Sequence, residues 1–103
     1  MFIVVFVTVP SMKTGRKIAK ELLSKRVAGC INILGRLDSF FWWKEKIDKA
    51  KECLLIIKTK KSLFSKLKKI VESLHPYDVP EVIALPLVDI NDKYASWLRE
   101  ETK

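Results

Sequence analysis

The sequence predicts an α+β domain with the element order β-α-β-β-α-β and a short C-terminal helix. Three observations carry that prediction. The chain opens on an uninterrupted apolar run, FIVVFVTV at 2–9; two segments around Ile18 and Leu67 place apolar residues at helical spacing; and CINILGRLDSFFWW at 30–43 and CLLIIKT at 53–59 read as strands between them. At 103 residues and 49 % hydrophobic composition the chain forms one domain, 1–103, large enough for a core without staples.

Residues 2–9 are β-branched and aromatic without polar alternation, the pattern of a strand buried on both faces inside a sheet. Pro10 breaks it. Ser11 is the expected N-cap of a helix that turns Ile18, Ala19, Leu22 and Leu23 inward, with Lys25 and Arg26 near its carboxyl end and Gly29 just beyond. In the second strand Ile31, Ile33 and Leu37 recur at even steps, and the polar segment KEKIDKAKE (44–52) holds a turn before the third strand begins at Cys53. Ser62 opens a second helix with Leu63, Leu67, Ile70 and Leu74 inward, seconded by Phe64 and Val71, while Lys66, Lys68, Lys69 and Glu72 face water. HPYDVP (75–80) interrupts regular structure, and VIALPLV (82–88) supplies a fourth strand that, because Pro86 cannot donate to a ladder, lies at an edge or ends there. NDKYASWLREE (91–101) is a terminal helix with Tyr94, Trp97 and Leu98 on one side. This is the split βαβ or ferredoxin-like arrangement, with two helices on one face of an antiparallel sheet.

The sheet's other face poses a problem. Two helices cover one side only, yet the first strand reads as buried on both, and SFFWW (39–43) sends large aromatics to opposite faces of one strand. An apolar surface of that size marks an interface, so a homo-oligomer is expected.

Twenty Lys and Arg against twelve Asp and Glu leave a formal charge of +8, which raises nucleic acid or an anionic surface as partners and equally fits a solvated basic surface. The opening apolar run is one strand long and lacks a preceding basic stretch, so it fits neither a signal peptide nor a membrane span. A cytoplasmic location is expected, and Cys30 and Cys53, in apolar surroundings without Cys-x-x-Cys spacing, read as reduced, buried thiols.

Three functions suit such a fold. RNA recognition of the RRM type stacks bases on aromatics of the central strands, but CLLIIKT carries none, so no nucleic-acid partner is expected. Hydrolase or transferase chemistry lacks a phosphate loop or nucleophile elbow, and the one His, His75, is distant in sequence from either Cys; no enzymatic activity is expected. Metal binding through Cys30, Cys53 and His75 has compatible soft donors but no finger-like spacing, and the residues by themselves favour buried thiols and a turn-stabilising His.

GCINI (29–33), SFFWW followed by a charged turn and Ile47, IIKT (56–59) and above all LHPYDVPEVI (74–83) together resemble the CutA family of divalent-cation tolerance proteins, in register along essentially the whole chain. The resemblance implies a PII-like homotrimer in which the long second and third strands project as a hairpin and pair with neighbouring subunits. Phe40, Phe41, Trp42 and Trp43 would then lie in the trimer interface, where aromatics are enriched. It also implies an intersubunit cleft near Asn32, Trp43, Lys58, Thr59, Tyr77 and Pro80, with Cys30 and His75 as candidate ligands for Cu(II) or another divalent cation. Cys53 falls outside the family's pattern and reads as core. The alternative implied by the PII analogy is a trimeric signalling or scaffold module whose cleft takes a small anionic ligand, with Lys58 as its charged contact. Two departures stand out: Phe41 where the family commonly has Tyr, and Glu45 where it commonly has Gly, so the turn either avoids positive φ or strains a non-glycine residue.

Overall fold

The computed structural model describes Met1–Lys103 and has the expected element order. Strand β1 (Phe2–Val9) leads to helix α1 (Met12–Ser24), then β2 (Cys30–Trp43) and β3 (Lys46–Lys60). A single 3-10 turn, Lys61–Leu63, runs into α2 (Phe64–Leu74), followed by β4 (Val82–Pro86) and α3 (Asp92–Glu101). The sheet is antiparallel with strand order β2-β3-β1-β4, which makes β1 an inner strand and leaves β4, with Pro86, at an edge.

Burial along β1 alternates. Ile3, Val5, Val7 and Val9 are buried with Ile18 and Leu22 of α1 and Leu67 and Val71 of α2, whereas Phe2, Val4, Phe6 and Thr8 are only half-buried. The expectation of burial on both faces therefore holds for one face of the isolated chain. The missing polar alternation is explained by apolar residues on a face that stays half open.

The start of α1 is as the sequence suggests: the Ser11 hydroxyl accepts from the Thr14 N–H at 3.2 Å. Its end is not. The left-handed residue after the helix is Arg26, with φ 60°, and no glycine has positive φ. Gly29 is instead a packing requirement, since a Cβ there would lie 2.4 Å from Leu98 Cδ1. Ser62 does not cap α2 either. It sits within the 3-10 turn, Leu63 occupies the N-cap without a side-chain bond, and the turn is anchored to the residue before β1 by Lys61 N–H donating to the Met1 carbonyl at 2.9 Å.

The β2–β3 hairpin is longer than the polar segment suggested. Pairing continues to Trp43↔Lys46, so 46–52 is strand and the turn is only Lys44 and Glu45, with φ 49° and 65°. Both central residues thus adopt the left-handed region demanded by a type I′ turn, without a glycine. A bulge between Leu34 and Leu37, with Arg36 at φ 65°, adds a residue to β2. Leu37 consequently pairs with Glu52 and leaves the face shared by Ile31 and Ile33, correcting the even-step reading. Because β1 stops pairing at Val9↔Cys53, the hairpin beyond Glu52 is a bare two-stranded ribbon. It stretches the molecule to 45 × 26 × 23 Å.

Helix α3 closes one end of the sheet. Arg99 lies 5.5 Å over the Phe2 ring, Lys60 Nζ donates to the Thr102 carbonyl at 2.8 Å, and Arg26 pairs with Glu101 at 3.2 Å. Its buried residues are Ala95 and Leu98; Trp97 is turned partly to solvent beside Tyr94, rather than sharing the buried side with Leu98.

Candidate functional site

His75 ends α2 in extended backbone, its N–H donating to the Val71 carbonyl at 2.9 Å. The side chain is buried. Nε2 lies 2.7 Å from the Thr8 carbonyl and Nδ1 accepts the Tyr77 N–H at 3.2 Å. A carbonyl only accepts and an amide only donates, so these two bonds together require neutral imidazole protonated on Nε2. The ring reaches a metal only by releasing one of them.

Tyr77 packs on His75 with ring centroids 4.7 Å apart, and its hydroxyl donates to Glu52 Oε2 at 2.8 Å. Burial first, then the hydrogen bond to the Glu52 carboxylate, pushes the phenol up to about 12. Tyr77 and Glu52 form part of the wall of a groove of about 760 Å³. The hairpin aromatics Phe40, Phe41, Trp42 and Trp43 form another side, and Asp48, Asp78 and Glu81 add carboxylates. Pro80, half-buried, stiffens the loop that carries Tyr77 into position.

The other predicted residues gather elsewhere on the sheet. Cys30 stands opposite Lys58 in the β2–β3 ladder, and Lys58 Nζ donates to Asn32 Oδ1. The half-buried Cys30 thiol adjoins Tyr94, whose phenol is pushed up to about 12 by burial first and then by the thiol. Thr59 does not join them. Its side chain is fully buried and its hydroxyl donates to the Val27 carbonyl at 2.6 Å, so it fastens the segment before β2 and is corrected from cleft residue to core.

Register separates the two groups. His75 binds the Thr8 carbonyl, Thr8 pairs with Leu54, and Cys30 pairs with Lys58, four residues farther along β3. At about 3.4 Å per residue that is roughly 14 Å along the strand, so Cys30 and His75 of one chain do not share a ligand. No group of three His, Cys, Asp or Glu side chains is placed to hold a metal ion within the chain. Both thiols are free, Cys53 being buried in the core as expected. Glu52 and Tyr94 were missed in the sequence: Glu52 looked like part of a turn, and Tyr94 like one face of an ordinary terminal helix.

The strand order, the two helices on one face and the elongated aromatic hairpin define a ferredoxin-like α+β protein whose candidate site lies beside the hairpin. The pattern of the family described as CutA1 divalent ion tolerance protein matches residues 3–101, and the chain belongs to that family. The divalent-cation tolerance protein CutA of Thermus thermophilus is 46 % identical over 99 residues, covering 96 % of this chain and 96 % of that one. Its counterpart in Pyrococcus horikoshii is 42 % identical over 101 residues, covering 98 % of both. The chloroplastic protein CutA 1 of Oryza sativa is 46 % identical over 98 % of this chain, which spans only 57 % of that protein's length. The solved structure of the divalent cation tolerance protein Cut A1 from Thermus thermophilus superposes with a TM-score of 0.98 at 46 % identity, over the whole of both chains.

Proposed function

We propose that the protein acts in divalent-cation tolerance as a cytoplasmic homotrimer that binds divalent metal, copper foremost, at sites completed between subunits, and that its role is binding rather than catalysis. The observation that carries this reading is the bare end of the hairpin. Phe40 and Trp42 are 70 % and 72 % exposed on a two-stranded ribbon, an arrangement unstable in water without a covering partner. The edge strands β2 and β4 add exposed Leu34, Ile83 and Leu85. A second and third copy would cover these edges and aromatics together.

Copper suits the donor chemistry. Cys30 supplies a half-buried thiol, His75 an imidazole, and the groove beside His75 carries carboxylates. One chain lacks a complete ligand set, so juxtaposing the Cys30 end of one subunit with the groove of another is what the metal reading requires. Cu(II) titration of the assembled protein tests it: Cys30→Ser and His75→Ala each weaken binding roughly tenfold or more, while Cys53→Ala does not. Equal affinity in all three variants and the wild type removes Cys30 and His75 from the site.

A second reading rests on Lys58. It binds a neutral amide and no carboxylate, so its charge is free to meet a small anion. A thermal-shift screen of anionic metabolites supports this reading if one raises the melting temperature of the wild type and not of Lys58→Gln.

A further inference from the structure

The chain's positive charge is not spread evenly. Helices α1 and α2, with the 3-10 turn that leads into α2, hold eight Lys or Arg against two Glu, whereas everything else holds twelve against ten. Six of the eight net charges thus lie on the helical layer.

On α1, Lys13, Arg16, Lys17 and Lys20 follow helical spacing and form a single exposed stripe. On α2, Lys66 and Lys69 are exposed in the same layer, the two helices packing side by side. None of these six takes part in an ion pair; Glu21, the one acid of α1, is bound to Lys25 at 3.2 Å. The face therefore presents uncompensated charge on two rigid helices. The sheet side is different, with the acidic groove and the exposed aromatics.

We infer that the α1–α2 face binds the phosphate backbone of double-stranded nucleic acid without reading its sequence. Charge complementarity favours a polyanion, and the composition of the face selects which. A membrane-surface helix needs apolar side chains to insert, but Leu23 is the only large hydrophobic residue substantially exposed on either helix. Single strands are held by stacking on exposed aromatics, and here those lie on the hairpin and on Trp97. What the face does offer is a cluster of exposed, unpaired lysine and arginine on two adjacent helices, which suits salt-dependent, sequence-independent binding. The absence of strand aromatics, which argues against RNA recognition on the sheet, does not bear on this face.

The test is fluorescence anisotropy of a labelled duplex of arbitrary sequence against salt, from about 50 to 200 mM. Two triple variants of the assembled protein carry equal net charge: Lys13→Gln with Lys17→Gln and Lys20→Gln on α1, and Lys46→Gln with Lys93→Gln and Lys103→Gln elsewhere. The wild type binds with a log–log salt slope near −4, the α1 variant loses about 2 to 3 of that slope and at least tenfold in affinity, and the other triple variant stays within about 1 of the wild type. Equal losses in both variants would show a response to net charge alone and overturn the assignment. So would absence of duplex binding at about 50 mM salt; vesicles containing phosphatidylserine, bound in its place, would move the face to a membrane partner.

Discussion

The Tyr77 hydroxyl donates to the Glu52 carboxylate at 2.8 Å, joining the loop after α2 to the root of the projecting hairpin across 25 residues of sequence. Beneath it, the Tyr77 amide binds His75 and His75 binds Thr8, so two hydrogen bonds tie the loop to β3 and β1 and a third braces the loop internally. The groove's inner wall is thereby set before any partner arrives.

Replacing Tyr77 by Phe leaves the buried Glu52 carboxylate without its donor and destabilises the fold by about 1 to 3 kcal/mol. Urea denaturation of Tyr77→Phe and of Tyr77→Phe with Glu52→Leu checks this, because removing both polar groups recovers part of the loss.

Alkaline pH acts on the same phenol. Folding raises Tyr77 and Tyr94 from the ordinary 10 to about 12, so their stabilising effect is complete below pH 10 and is lost as pH rises through about 12. The urea midpoint falls across that window, and it falls less steeply in Tyr77→Phe. An identical decline in both proteins would contradict the raised phenol.

Gly29→Ala places a methyl group 2.4 Å from Cδ1 of the fully buried Leu98, which must shift to admit it. A loss of about 1 to 3 kcal/mol is expected. In the Gly29→Ala/Leu98→Val pair the two effects are less than additive, since the second shortens the side chain that the first collides with.

Glu45→Gly works in the opposite direction. Glu45 is held at φ 65°, where a side chain costs about 1 to 2 kcal/mol, offset in part by the greater freedom of glycine in the unfolded chain. Thermal unfolding should show a gain of about 1 kcal/mol; a loss would mean that Glu45 makes contacts outweighing its strain.

Most of the fold was legible because the apolar periodicities are strong. Ile18 and Leu22, Leu67 and Val71, and the run from Leu54 to Thr59 all belong to the elements expected of them. What escaped was decided by contacts distant in sequence. Gly29 resembles a helix stop but answers to Leu98, Ser62 resembles a cap but the backbone of Met1 sets the turn, and the bulge at Arg36 moves Leu37 off its expected face. The site was legible as a set of residues and not as a place. Asn32, Lys58 and Cys30 meet, as do Tyr77 and His75, but strand register holds the two groups apart and sends Thr59 to the core.

Trp43 probes the assembly. It is 41 % exposed in a single chain, so Trp43→Ala opens little of the monomer's core but removes an anchor from the hairpin that the proposed trimer would cover. A loss of about 2 kcal/mol per interface is expected, seen as dissociation at higher protein concentration than the wild type. Unchanged dissociation would place Trp43 outside the interface.

In the proposed assembly, three copies associate through the hairpin and complete a divalent-metal site between them. Native mass spectrometry after a slight excess of Cu(II), with unbound ions removed, reads both parts at once. A trimer retaining whole-number copper is the predicted result, and one that loses the copper in Cys30→Ser ties the metal to the predicted thiol. A trimer without copper would contradict the metal site, and a monomer would contradict the assembly on which that site depends.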